Sequence, residues 1–290
     1  MTQNGHNPGA VIPDDRPAGK GLNILSVEKV TIAFDGFTVL DDLDFSIGHG
    51  EMRFLIGPNG AGKTTLLDVI TGKSKPNQGT VTFDGRLDLS RQAEHSVVKL
   101  GIGRKFQTPT VYNSLSVYQN LETSERFCSR IIGMFRSLSQ ERSQLINETL
   151  KLTGLVDRAD QNAGVLSHGE RQWLEIGMLL VQEPKLLLLD EPVAGMTRRE
   201  RDRTGELLQE IAKQRSVLVV EHDMEFVRQF ARTVTVLHHG KVLSEGTMEM
   251  VQQDPQVIRA YLGRSRGAPR HEAPAPHAPA PEPAISGPAA

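Results

Sequence analysis

The chain has 290 residues, of which 38% are hydrophobic, enough to bury one large core or two modest ones. Its formal net charge is −2, so composition implies no general attraction to nucleic acid. The single cysteine excludes an internal disulfide, and no apolar run approaches the length of about 18 residues typical of a membrane-spanning helix. The first residues lack the cationic and apolar segments of a signal peptide, so we expect a cytoplasmic protein.

The chain begins with a polar segment and continues as alternating strands. Residues 1 to about 22 are rich in Gly, Pro and Asp without periodicity, which predicts a disordered N-terminal tail. Apolar and polar residues then alternate over 30–34 and 43–47, and again over 79–85. This period of two predicts an antiparallel sheet with one solvent-exposed face.

A glycine-rich segment, Gly57–Thr64, joins the apolar run 52–56 to a helical pattern. A glycine turn that leaves a buried strand and opens a helix points its backbone N–H groups into one small volume and binds phosphate. Lys63 can reach the β- and γ-phosphates of a nucleotide, and the Thr64 hydroxyl can bind Mg²⁺. The segment therefore predicts a site for a nucleotide and Mg²⁺. We expect the nucleotide to contact Gly57, Pro58, Asn59, Gly60, Ala61, Gly62, Lys63, Thr64 and Thr65.

The next region differs in composition. Residues from about 90 to 165 have a helical composition interrupted at Pro109 and Gly133, which indicates a helical insertion between two parts of one α/β core. After Leu166–Glu170 a further helical pattern runs until Pro184, so the inserted helical subdomain spans about 90–180.

Two buried strands are followed directly by polar residues. The apolar run 186–189 leads into Asp190 and Glu191, and the run 216–220 leads into Glu221 and His222. Because the carboxyl ends of parallel strands meet at one edge of a sheet, these side chains are expected beside the phosphate loop. There Asp190 suits Mg²⁺, Glu191 suits a general base for the attacking water, and His222 can bond the γ-phosphate and that base.

The C-terminal part completes the fold with a small strand pair around 239–241 and a helix near 254–262. Residues 264–290 are rich in Pro and Ala and poor in large apolar residues, which predicts a disordered tail. A partner-binding peptide is the alternative interpretation of this tail.

Together these motifs resemble the ATP-binding subunit of an ABC transporter over about residues 24 to 263. Gly57–Thr64 resembles the Walker A loop and Leu186–Asp190 the Walker B strand, while Glu191 and His222 stand where the family has its catalytic glutamate and switch histidine. The resemblance implies an α/β fold, the ABC ATPase cassette, with a RecA-like parallel sheet core, an antiparallel β subdomain and a helical signature subdomain.

The resemblance also implies roles for residues outside these motifs. Gln107 fits the Q-loop glutamine, which contacts Mg²⁺ and the attacking water. Phe34 has the spacing of the aromatic residue that stacks on adenine, with Phe37 as the competitor. Ser167 and Gly169 lie in a stretch similar to the signature loop, which binds the nucleotide of the opposite subunit.

Two loops depart from the family pattern. The signature loop is commonly Leu-Ser-Gly-Gly-Gln, and here His168 replaces the first Gly while Glu170 replaces the Gln. The D-loop usually has Asp at the position of Thr197.

Within the family, two stretches look like the branched-chain amino acid type of importer, namely Gly101–Thr110 and Trp173–Met178. Three others together look most like the urea branch, namely Ser167–Gly169, Ala194–Thr197 and Glu221–Val227. The resemblance implies an importer ATPase for a small polar solute, urea first, with branched-chain amino acids or an exporter as alternatives. The partners it implies are transmembrane permease subunits, a second ABC ATPase in a heterodimer or else a homodimer, and, indirectly, a periplasmic solute-binding protein. This places the chain at the cytoplasmic face of the membrane.

Two rival classes fit less well. A soluble ABC protein acting on DNA or ribosomes generally has two cassettes or a long coiled coil, and no basic run here predicts nucleic acid binding. A non-hydrolysing regulatory subunit conflicts with intact Lys63, Asp190, Glu191 and His222.

Overall fold

The computed structural model describes residues 23–105, 111–128 and 140–262. The strands of this part are β1 (Asn23–Phe34), β2 (Phe37–Gly48), β3 (Met52–Ile56), β4 (Gln78–Phe83), β5 (Leu87–Asp88), β6 (Ile102–Lys105), β7 (Leu186–Asp190), β8 (Ser216–Val220), β9 (Thr233–His238) and β10 (Lys241–Gly246). The helices are α1 (Lys63–Ile70), α2 (Glu94–Lys99), α3 (Val117–Cys128), α4 (Gln140–Thr153), α5 (His168–Leu180), α6 (Arg198–Ala212), α7 (Met224–Phe230), α8 (Met248–Gln253) and α9 (Pro255–Leu262).

The central element is a six-stranded sheet in the order β10-β9-β3-β8-β7-β6. Its strands from β9 to β6 run parallel, and β10 adds antiparallel to β9. Every residue of β3, β7 and β8 is buried. Their short apolar runs are therefore covered on both faces, as the sequence predicts for central strands of a parallel sheet.

Alternate residues of the central strands enter two separate cores. Phe54, Leu187 and Val219 pack in one cluster with the buried faces of α5, α6 and α7. Leu55, Leu188 and Leu218 pack in the other cluster, which contains α1 and the antiparallel sheet. The parallel sheet is thus the middle layer of the molecule.

The second sheet has the order β2-β1-β4-β5, and its pairings are antiparallel. β1 and β2 form a hairpin in which Phe34 pairs with Phe37. This sheet confirms the antiparallel prediction made from the period-two pattern.

Strand β6 is the main difference from the sequence prediction, because it lies within the interval for which helices are expected. It pairs parallel with β7, from Ile102 beside Leu186 to Lys105 beside Leu189. Half of its residues are cations that are nonetheless buried, since Arg104 contacts Asp68 at 2.5 Å and Lys105 contacts Glu175 at 3.4 Å. Such a strand shows no apolar run by which it could be recognised.

The helical part between β6 and β7 includes α3, α4 and α5. Helix α5 contacts α6 through side chains. The Trp173 indole N–H donates to the Thr204 hydroxyl at 2.9 Å, and the Arg203 guanidinium lies 4.4 Å from the Trp173 ring centroid. This contact sets the position of α5, whose first turn carries the signature-like residues.

Several predictions fall on residues outside the described ranges. These are the N-terminal tail 1–22, the tail 264–290 and Gln107. The proposed domain boundaries stay predictions. None of the helices in the described ranges is long and apolar enough to cross a membrane.

Candidate nucleotide site

The phosphate loop, residues 57–62, connects β3 to α1 in close contact with strands from both ends of the chain. Gly62 opens α1 with φ +105°, and a Cβ there would lie 2.7 Å from the Leu40 side chain in β2. A Cβ on Gly57 would lie 2.2 Å from the Leu237 carbonyl oxygen in β9. The backbone geometry and these neighbours together require glycine at both positions.

The turn between β9 and β10 supports the loop from behind. The Gly240 N–H donates to the Ala61 carbonyl at 3.0 Å, while the Gly240 carbonyl accepts from the Asp41 N–H at 3.1 Å. A Cβ on Gly240, at φ +75°, would lie 2.3 Å from the Val39 carbonyl oxygen. This support is absent from the sequence prediction because backbone contacts between distant segments leave no residue-type signal.

Lys63 lies in the first turn of α1 and folds back over its own loop. Its Nζ donates to the Gly57 carbonyl at 2.7 Å and to the Pro58 carbonyl at 3.2 Å. Burial lowers the pKa of Lys63, and the charges of Glu191 and Asp190 oppose that shift. The lysine therefore lies within range of the charges of both carboxylates. On the solvent-facing side of the loop, Asn59, Gly60 and Thr64 are exposed.

Asp190 ends β7 and is 4% exposed. Burial raises the pKa of this carboxyl, and the nearby Arg104 opposes the rise. The described residues contain no cluster of three or more His, Cys, Asp or Glu side chains able to hold a metal ion. A carboxylate and the Thr64 hydroxyl nevertheless fit Mg²⁺, which proteins bind through one or two carboxylates together with phosphate oxygens.

Glu191 and His222 meet at the carboxyl ends of β7 and β8. The His222 Nδ1 lies 3.2 Å from the Glu191 Oε1, and both side chains are partly exposed. Glu191 has φ +49°, a sparsely populated conformation for a non-glycine residue, and its N–H donates to the Val220 carbonyl at 2.9 Å. Conformations of this kind cluster at active sites.

Glu221 is a functional candidate that the sequence reasoning mentions but assigns no role. Its carboxylate is 1% exposed and accepts from the backbone N–H groups of Val193 at 3.2 Å, His222 at 3.0 Å and Asp223 at 3.3 Å. Burial raises the pKa of this carboxyl, whereas these backbone bonds act in the opposite direction. Glu221 thereby ties the loop after β7 to the loop after β8. The available signal is an acidic residue directly after the apolar run 217–220.

The two candidate aromatic residues lie opposite each other in the β1–β2 hairpin. Phe34 is 48% exposed and Phe37 is 78% exposed. The same β2 strand carries Leu40 against Gly62, so the hairpin lies beside the phosphate loop. The choice of Phe34 stays a prediction.

Ser167 caps the N-terminus of α5 in a capping box. Its Oγ accepts from the Glu170 N–H at 3.2 Å, and the Ser167 N–H donates to the Glu170 carboxylate at 2.9 Å. Glu170, a departure from the family pattern, is thus the acidic partner of the box and also contacts Arg158 at 3.0 Å. The roles of Ser167 and Gly169 toward nucleotide stay predictions.

Comparison with known proteins places this site in a family. The profile of the family described as "ABC transporter" matches residues 40–194, the stretch that contains the phosphate loop, Asp190 and Glu191. The chain belongs to the ABC transporter family. A second profile, "Branched-chain amino acid ATP-binding cassette transporter", matches residues 241–266.

Relatives in the family align over most of the chain. The high-affinity branched-chain amino acid transport ATP-binding protein LivG of Escherichia coli is 31% identical over 253 residues, covering 83% of this chain and 98% of LivG. BraF of Pseudomonas aeruginosa, with the same description, is 29% identical over 252 residues, covering 83% and 98% of the two chains.

Solved structures show the same fold. A nucleotide-free ATP-binding cassette from an ABC transporter superposes with a TM-score of 0.72 at 29% identity, covering 82% of this chain and 98% of its own. A cassette in its ADP conformation gives a TM-score of 0.73 at 30% identity, covering 83% and 99%. The predicted ABC ATPase cassette fold is therefore confirmed, and the chain is a P-loop ATPase.

Proposed function

We propose that this ABC chain is the Mg²⁺-dependent ATP-hydrolysing subunit of an importer of the branched-chain amino acid type. The observation that carries the proposal is the convergence of Lys63, Asp190 and the Glu191–His222 pair at one edge of the parallel sheet. The relatives named above support the importer type, because LivG and BraF are described as branched-chain amino acid transport proteins.

In the proposed reaction Lys63 exchanges its loop carbonyl partners for the β- and γ-phosphate oxygens of ATP. Thr64, Asp190 and Gln107 would hold Mg²⁺, which supplies charge neutralisation at the phosphates. Glu191 takes the proton of the attacking water as the water oxygen bonds the γ-phosphorus and the bond from that phosphorus to the β,γ-bridging oxygen breaks, which releases ADP and phosphate. His222 contacts Glu191 through Nδ1, and donation to both Glu191 and the γ-phosphate would require both ring nitrogens to carry a proton. Phe34 stacks on adenine.

The proposed assembly has two cassettes docked on transmembrane permease subunits at the cytoplasmic face of the membrane. We expect the second cassette to be a different chain, and a periplasmic solute-binding protein to deliver the solute. The γ-phosphate needs hydrogen-bond donors on both sides, and closure of two cassettes excludes water from the site.

The solute is assigned through the relatives, because none of the residues at the nucleotide site touches transported solute. Their descriptions favour a branched-chain amino acid over urea, the first expectation from the loop residues.

The test uses the complete transporter in liposomes with its solute-binding protein, which is offered either leucine or urea. We expect leucine to stimulate ATP turnover and urea to have no effect. In the same complex Glu191→Gln should lower turnover by about 10²-fold while ATP still binds, the usual scale for a general base. Glu225→Gln, an exposed carboxylate on α7, is the matched control. Stimulation by urea alone would overturn the amino acid assignment, and parental turnover in Glu191→Gln would overturn the role of Glu191.

A further inference from the structure

The histidine that departs from the usual signature sequence forms a contact across the fold. His168 is the first residue of α5, between Ser167 and Gly169, and its Nε2 lies 3.0 Å from the Ala194 carbonyl oxygen. A carbonyl oxygen only accepts hydrogen bonds, so Nε2 carries the proton in this contact. The bond holds for the neutral Nε2–H tautomer and for the imidazolium alike.

The backbone at Ala194 and Gly195 leaves room for the His168 ring. Gly195 has φ +72°, and a Cβ there would lie 3.2 Å from the His168 Nε2 and 3.6 Å from its Cδ2. The imidazole therefore covers the Cα of Gly195 while it bonds the preceding carbonyl. Ala194 and Gly195 belong to the loop that begins at Glu191.

A second contact joins the same two segments, from Glu200 in α6 to Gly169 in α5. A Cβ on Gly169 would lie 2.3 Å from the Glu200 Oε1, so the Glu200 carboxylate lies directly against this glycine. The same carboxylate accepts from the Thr197 N–H at 2.9 Å and from the Thr197 hydroxyl at 2.7 Å. The hydrogen bonds that the backbone and the side chain of Thr197 donate to this carboxylate lower the pKa of Glu200. A hydrogen bond from the Gly169 N–H lowers the pKa further. Thr197, the other departure from the family pattern, thus caps α6 and orients Glu200 toward Gly169.

These contacts form a clasp within one chain, made of His168 with Ala194 and Gly195 and of Glu200 with Thr197 and Gly169. We propose that His168 is a positioning residue for hydrolysis, which holds the Ser167–Gly169 loop at a fixed place relative to the loop after Glu191. The inference rests on the proposed function, in which Ser167 serves ATP bound by the partner cassette. The Ser167 Oγ accepts from the Glu170 N–H, so its own hydrogen can still be donated to a phosphate.

Geometry explains why such a clasp would affect the rate. A misplacement of about 1 Å in a positioning group can cost up to about 10²-fold in rate. His168 lies outside the phosphate loop, so its loss should change kcat at the partner's site and leave ATP binding at Lys63 unchanged.

The test compares three substitutions of His168. The amide nitrogen of Gln reaches about as far from Cα as Nε2 does, whereas that of Asn reaches only as far as Nδ1, and His168→Gly restores the residue common in the family. In the full chain without nucleotide, we expect amide hydrogen exchange over 193–197 to be about 2- to 10-fold faster in His168→Asn and His168→Gly, the scale of one lost hydrogen bond. His168→Gln should retain parental exchange.

The second measurement is ATP turnover in the complete transporter. We expect kcat to fall about tenfold in His168→Asn and His168→Gly with KM unchanged, and His168→Gln to restore most of it. Unchanged exchange over 193–197 in the Asn and Gly variants would overturn the inference, as would a Gln variant as slow as the Asn variant. A different result would contradict the proposed function itself: ATP turnover in Ser167→Arg would equal that of the parent, because Ser167 would then have no role at the partner's ATP.

Discussion

At the scale of single residues, Lys63 is held by carbonyl groups of its own loop. Its ammonium group donates to Gly57 and Pro58, and burial lowers its pKa while Glu191 and Asp190 oppose that change. These contacts place the cation against the loop to which we propose that the phosphates bind.

We predict that Lys63→Ala weakens ATP binding by about 10- to 100-fold, because a hydrogen bond to a charged group contributes about 1.5–3 kcal/mol. Calorimetry with the isolated chain measures this. Lys73→Ala is the control, since Lys73 lies just beyond α1, is half-exposed and contacts Asp68 at 3.6 Å. Equal ATP affinity in Lys63→Ala and the parent would contradict the phosphate-binding role.

The β1–β2 hairpin offers a second comparison of single residues, because Phe34 and Phe37 pair across it. We predict that Phe34→Ala weakens ATP binding by about 5- to 100-fold, since base–aromatic stacking contributes about 1–3 kcal/mol. Free triphosphate should bind almost as in the parent. A larger loss in Phe37→Ala would assign the stacking to Phe37 instead.

At the scale of secondary-structure elements, the strands differ in how well the sequence predicts them. β3, β7 and β8 are mainly apolar, with one polar residue each, so their burial and the residues that follow them could be predicted. β6 could not, because its cations Arg104 and Lys105 are buried beside Asp68 and Glu175, which lie far away in the sequence. The same limit applies to Glu221, whose partners are backbone groups of two separate loops.

The Lys105–Glu175 pair joins β6 to α5 in the interior, with both side chains at most 6% exposed. We predict that Glu175→Gln lowers the free energy of unfolding by about 3–5 kcal/mol, because it leaves Lys105 buried without its counter-charge. The double variant Lys105→Met/Glu175→Met should be affected much less, since both charges of the pair are removed together. Urea unfolding measures both, and equal losses in the single and double variants would contradict the pairing argument.

At the scale of the whole molecule, the residues predicted to bind and hydrolyse ATP and the signature-like Ser167 lie on different elements. Lys63, Glu191 and His222 surround the phosphate loop, whereas Ser167 makes its hydrogen bonds within its own loop at the start of α5. This arrangement suits a cassette that binds one nucleotide through Lys63 and presents Ser167 to a second nucleotide on another subunit.

We predict that Ser167→Arg blocks hydrolysis at the site built on the partner's phosphate loop while ATP still binds to this chain. The bulky cation would fill the space between the two cassettes. Site-resolved nucleotide trapping in the reconstituted transporter measures this. If Ser167→Arg abolishes ATP binding by the isolated chain, the loop serves its own site and the paired-cassette assembly is wrong.

The strand order also has a consequence for synthesis of the protein on the ribosome. β3, which leads into the phosphate loop, is flanked by β8 and β9, and the loop is supported by the turn at Gly240. A nascent chain that has already made the loop must therefore wait for about 180 further residues, roughly 10 to 40 s at about 5–20 residues per second, before β3 gains its neighbours. We therefore expect a chain truncated before residue 233, which lacks β9 and the Gly240 turn, to bind ATP more weakly than the full chain.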